Sequence, residues 1–239
     1  MNILAELFGF FADPLRWSGA GGIPTRVLEH LWYTALALTI ATAIALPIGL
    51  LIGHTGRGAF FAINIGNAAR SFPSLGVLVL LVLLAGLGIT PVLVALVVLG
   101  VPPIIASTYA GVRGVDPATI DAARGMGMTE RGIVFKVELP IALPLILSGL
   151  RSAALQIVAT ATIAAYVALG GLGRYVIDGL AVRDFAEMLA GAVLVALLAI
   201  AIDVVFAIFG RLVVSDGLAG RGPRNSRPAT ESTTDQEYV

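Results

Sequence analysis

Read from its first residue, the chain sets long apolar runs between short polar interruptions. Leu31 to Ile52 is unbroken and ends at the turn-like His54-Thr55-Gly56-Arg57-Gly58. Ala59 to Leu87 opens with Asn64, Asn67, Arg70 and Ser71 and becomes wholly apolar only from Val77. Val92 to Ala110 is interrupted by Pro102-Pro103, Leu143 to Leu169 carries Arg151, Gln156, Thr160 and Thr162, and Met188 to Val213 carries Asp203. Crossing a bilayer takes roughly 20 mostly apolar residues in a helix, so these runs predict about five transmembrane helices. A short interfacial helix is expected before them, over Ile3 to Phe11. The fold class is therefore all-α, a polytopic helical bundle in a membrane.

Composition agrees and narrows the picture. Mean hydropathy is +0.95, with 58% hydrophobic and 13% charged residues. At 239 residues there is room for several crossings but not for a large soluble domain as well. A net charge of zero gives no footprint for nucleic acid, and the absence of cysteine excludes disulfides and thiolate metal sites. The opening MNILAELFGFFADPLRW lacks a basic leader, so a cleaved signal peptide is not expected.

Five crossings put the two ends on opposite sides, and basic residues choose the orientation. With the N-terminus outside, Arg57, Arg113, Arg124, Arg131, Lys136, Arg211, Arg221, Arg224 and Arg227 face the cytoplasm, against Arg16, Arg26, Arg174 and Arg183 outside. The expected organisation is an extracytoplasmic segment 1–30, a membrane domain 31–214 with an inner loop 111–142, and a cytoplasmic tail 215–239. That tail is rich in Gly, Pro, Ser and Thr, and its composition predicts disorder.

The inner loop has its own punctuation. Asp116-Pro117 reads as an N-cap with proline at the first helical position, so a short helix starts there and ends at Gly125 and Gly127. A second helical piece, Glu130 to Leu139, is expected to stop at Pro140, with Pro144 in the opening turn of the next span.

Those residues carry a resemblance. Asp121-Ala122-Ala123, three residues, Gly127, nine residues, Val137, one residue, Leu139-Pro140 matches the EAA signature of ABC importer permeases, with Asp121 where glutamate is usual and Val137 where isoleucine is usual. The wider stretch Thr108 to Arg151, with RSFPSLGVL from Arg70 and ATATIAAYVALGGLG from Ala159, resembles the osmoprotectant branch that imports glycine betaine, carnitine, choline or related solutes. The resemblance implies a type I importer transmembrane domain like that of methionine permeases, in the bacterial cell membrane. It also implies a loop that docks on a cytoplasmic ABC ATPase, with Gly127 as the turn. The partners implied are ATPase subunits that bind ATP and Mg, an extracytoplasmic binding protein or lipoprotein, and a second permease copy or a paralogue. No cofactor is expected on this subunit.

Polar groups inside spans are expensive and tend to face the bundle or a wet path. Asn67, Arg70, Ser71, Pro73, Pro102, Pro103, Gln156 and Thr160 are the candidates for a translocation pathway. For Arg70, a pathway role and inter-helix hydrogen bonding stand side by side. Snorkelling at a helix end is the expectation for Arg151. Asp203 needs a partner such as Thr or Arg, in a structural role. Pro102-Pro103 predicts a kink, and Gly170-Gly171-Leu172-Gly173 an outer turn that could meet a binding protein.

The chain holds no G-x-x-x-x-G-K-[ST], and its single lysine is Lys136. His30 and His54 lie near opposite ends of one span, so no metal or nucleophile constellation forms. The expected role is a non-enzymatic permease subunit. The competing reading is a secondary transporter in which Arg70 and Asp203 form an ion path; a membrane-embedded enzyme lacks any catalytic cluster.

Overall fold

The computed structural model describes residues 3–58, 60, 64, 73–167 and 169–213. Asn67, Arg70, Ser71 and the tail 215–239 lie outside the described residues, as does much of the expected second span. The described elements are all helical: α1 (Ile3–Ala12), a 3₁₀ turn (Pro14–Trp17), α2 (Ile23–Thr55), α3 (Ser74–Ala85), α4 (Ile89–Arg113), α5 (Pro117–Gly125), α6 (Glu130–Ile133), α7 (Leu139–Ala161), α8 (Gly173–Val182) and α9 (Phe185–Val213). Among the described residues four helices are long and apolar enough to cross a membrane: α2, α4, the continuous helix from Glu130 to Val167, and α9.

Several boundaries differ from the sequence expectation. Helix α2 begins at Ile23, not Leu31, because Gly22 ends the preceding turn and Pro24 is tolerated in a first helical turn. Arg26 and Glu29 are thereby helical and pair at 3.0 Å. The larger correction is at Pro140, where no break occurs. Helix α6 passes through a π-helical turn, Val134–Glu138, directly into α7. In an α-helix the ring of Pro140 would meet the carbonyl four residues back. The wider turn, in which the Leu139 N–H reaches Val134 O, changes that register immediately before the proline.

The core is α2, α4 and α7, packed through layers of small and branched side chains. Along α2 these layers run from Ala37, against Leu96 and Ile157, through Ala41 and Ala45, against Ile104 and Ala153, to Leu50, against Val112 and Ile146. Lipid tails are as apolar as leucine, so burial alone does not draw such helices together; close backbone approach does. Gly149 of α7 shows how close: a Cβ there would lie 2.5 Å from Ser107 Cβ and 3.0 Å from Pro103 O on α4. Pro102 and Pro103 are buried in this contact, inside a helix that continues from Ile89 to Arg113.

Helix α9 is attached differently. Its first turns pack Ala190 and Gly191 against Tyr175 and Val176 of α8, and Phe10 of α1 joins that cluster. Beyond Gly191 it buries no further residue. Tyr175 lies outside the spans, and burial pushes its phenol up; its hydroxyl donates to Gly21 O at 2.7 Å.

Candidate functional site

The polar stretch between α4 and α7 folds as a helix, a turn and a helix. Asp116 caps α5 by accepting from the Ala118 N–H at 2.9 Å, with Pro117 in the first turn. The far end closes with paired bonds, Met128 N–H to Ala123 O at 3.1 Å and Gly127 N–H to Arg124 O at 2.9 Å. That closure puts Gly127 at φ +82, the left-handed region where glycine has no Cβ penalty. Thr129 then caps α6 through the Gly132 N–H at 3.2 Å.

Helix α5 turns one side inward and leaves the other open. Ala123 is buried, as is Val115 just before the helix, while Asp121, Ala122 and Gly125, and Met126 just after it, are exposed. Asp121, Ala122 and Gly127 therefore sit on one accessible elbow. Val137 and Leu139 are half-buried and Pro140 exposed, at the point where the elbow runs into α7.

A chain of charged side chains spans the base of this elbow. Arg124 donates to both oxygens of Glu130, Nε to Oε1 at 3.0 Å and Nη2 to Oε2 at 3.2 Å, and reaches Asp121 Oδ1 at 3.5 Å. The paired carboxylate holds the Arg124 guanidinium above its ordinary range. Glu130 Oε2 also stands 3.1 Å from Nε2 of His54, in the last turn of α2. His54 Nδ1 in turn meets Glu138, at 3.0 Å from Oε1 and 2.9 Å from Oε2. Glu138 is only 2% exposed. A cleft of about 220 Å³ beside this chain is bordered by Arg113, Asp121 and Glu138. Sequence reasoning named Asp121 here but missed His54, Glu130 and Glu138 as a set.

At the opposite end of α2, Glu29 accepts from the Gly171 N–H at 2.7 Å and His30 Nδ1 from the Leu172 N–H at 3.3 Å. Since Nδ1 accepts, Nε2 carries the proton and donates to Val158 O at 3.0 Å. The glycine turn at 170–173 is thus pinned to α2 and α7.

The pathway candidates separate. Pro73 is exposed at the start of α3, and Gln156 is exposed on α7. Thr160 is buried and bonds back to Gln156 O at 2.8 Å. Arg151 does not snorkel as expected; it forms a two-bond pair with Asp203, at 2.5 and 2.6 Å, between the middles of α7 and α9. Two guanidinium nitrogens, Nε and Nη2, each find one carboxylate oxygen, a geometry that a side chain stretched toward an interface would forgo. Within the described residues no group of three or more His, Asp or Glu side chains is arranged to hold a metal ion.

Residues 25–216 match the family described as binding-protein-dependent transport system inner membrane component. The chain is 35% identical over 203 residues to the glycine betaine/carnitine/choline transport system permease protein OpuCB of Bacillus subtilis (strain 168), covering 85% of this chain and 94% of that one. It is also 35% identical over 185 residues to the osmoprotectant import permease protein OsmY of Salmonella typhimurium, covering 77% and 78%. Among solved structures, a chain of the MetNI methionine ABC transporter in an inward-facing conformation superposes with a TM-score of 0.70 at 26% identity, over 79% of this chain and 94% of that one.

Proposed function

The chain belongs to the binding-protein-dependent transport system inner membrane component family, and from that premise we propose that it is the permease subunit of an ATP-driven importer of osmoprotectants. Its solutes belong to the osmoprotectant class: glycine betaine, carnitine and choline are named for its relatives, and proline betaine is a quaternary ammonium solute of the same chemistry. The observation that carries the coupling role is the elbow at 117–140, a capped helix held out by a left-handed Gly127 and running without a break into α7.

In this reading the exposed side of α5 seats in an ABC ATPase subunit, which binds the ATP and Mg. Closure of the ATPase pair moves α5, and the continuous helix from Glu130 passes that motion into the bundle. A second permease subunit, identical or paralogous, completes the pathway, and an extracytoplasmic binding protein delivers the solute. Quaternary ammonium groups suit aromatic cages, so most selectivity belongs to that protein. The N-terminus faces outward and the tail faces the cytoplasm of a bacterial cell. An ion path through Asp203 loses its motive, because that carboxylate is already committed to Arg151.

The test is reconstitution with the ATPase and binding protein of the same transporter. The ATPase is expected to copurify with this chain, and glycine betaine, choline or carnitine to stimulate ATP hydrolysis. Stimulation by methionine or a sulfonate alone would remove the osmoprotectant reading, and absence of any ATPase the importer reading.

A further inference from the structure

Of the three core helices, α4 and α7 are joined to the elbow by backbone, whereas α2 is not. Among the described residues, the hydrogen bonds and ion pairs between α2 and the elbow come from one side chain, beside the apolar cluster that holds Leu50 and Leu139. His54 has a ring nitrogen against a carboxylate on each side, Glu130 at 3.1 Å and Glu138 at 2.9 Å. Glu130 is in turn gripped through both oxygens by Arg124 of α5. Arg113, from α4, borders the same cleft.

We propose that His54 is a positioning residue for coupling, which fixes α2 to the elbow so that displacement of α5 reaches all three core helices together. The motion passes along Asp121, Arg124, Glu130, His54 and Glu138. Close apolar contact between α2 and α4, as at Gly53 and Val112, joins those two helices but involves no residue of α5. Contact between an imidazole nitrogen and a carboxylate oxygen is directional, and His54 has one on each side of its ring. The buried position of Glu138 gives the chain a fixed inner end, since a carboxylate at 2% exposure has few other partners to turn to.

This inference rests on the elbow being the ATPase contact. The test uses the complete transporter in proteoliposomes and reads solute imported per ATP hydrolysed, a ratio that does not depend on how much transporter assembles. His54→Gln and Glu130→Gln are each expected to lower that ratio on the order of fivefold, the low end of coupling between sites. The double variant should fall no further than the worse single one, because both break the same chain. Glu130 has a side chain 57% exposed, so its variant carries the test even if His54→Gln fails to fold. Wild-type ratios in the variants, or losses that multiply in the double variant, overturn the proposal. Failure of the elbow reading is separate: wild-type chain would then bring down no ATPase.

Discussion

At the residue scale, two positions have effects that can be worked out. At Gly127 nothing lies within 4 Å of where a Cβ would stand, so the consequence of substitution is conformational and not steric. Holding an L-residue at φ +82 costs about 1–2 kcal/mol, more for a β-branched one and less for asparagine. Gly127→Val is therefore expected to reach the membrane at normal levels but lose most ATP-driven uptake, while Gly127→Asn keeps most of it. Uptake of labelled betaine into proteoliposomes decides this, and equal rates in the two variants would remove the turn from the mechanism. The Arg151–Asp203 pair predicts a different pattern. Arg151→Leu leaves Asp203 unpaired on a membrane helix that packs little beyond its first turns. Its melting temperature in detergent should drop clearly, and Asp203→Leu added to it should recover much of the loss, since two apolar side chains need no partner. A double variant as unstable as the single would mean that the pair does more than neutralise charge.

At the scale of elements, α7 has two unlike faces. One, with Gly149 and Ala153, is closed by α4 and α2; the other exposes Ser148, Ser152 and Gln156 at four-residue spacing with Arg151 beside them. A polar stripe on a membrane-crossing helix faces water or protein in preference to lipid. Because the chain has no cysteine, single cysteines can report this directly. Ser152→Cys and Gln156→Cys in the assembled transporter should react with a charged, impermeant thiol reagent. Val205→Cys and Phe209→Cys, on the far side of α9 from Asp203, should not. Equal reactivity would mean that α7 does not line the pathway. Such faces explain what the sequence makes legible. The long helices are readable because a bilayer demands length and apolarity, and the elbow because only a cap, a proline and a glycine make that turn. The helix through Pro140 is not, since hydrophobic spacing does not report one π turn. Nor is the contact between His54 and Glu138, which stand 84 residues apart. Charged residues near span ends are expected for solvation alone, and only the packing of α2 against α4 and α7 brings these two together.

At the scale of the whole molecule, the described basic residues outside the bundle's middle gather at two ends. Arg57, Arg113, Arg124, Arg131 and Lys136 lie at or near the end that carries the elbow, and Arg211 lies in the last turn of α9. Arg16, Arg26, Arg174 and Arg183 lie at the other, and three of these are individually held by carboxylates, Glu187, Glu29 and Asp178. Orientation follows the number of Lys and Arg near span ends, so the elbow should face the cytoplasm. That is also the side with ATP. Helix α1 and Trp17, exposed with Leu15 and Phe8, would then rest at the outer interface, where an amphipathic aromatic ring is at home. The prediction is a labelling pattern in intact spheroplasts. Ser18→Cys should take an impermeant maleimide from outside, and Met126→Cys, exposed on the elbow, should take it only after lysis. The reverse pattern would put the elbow out of reach of an ATPase. The resemblance in spacing, the left-handed turn and the His54 chain would then all need another purpose.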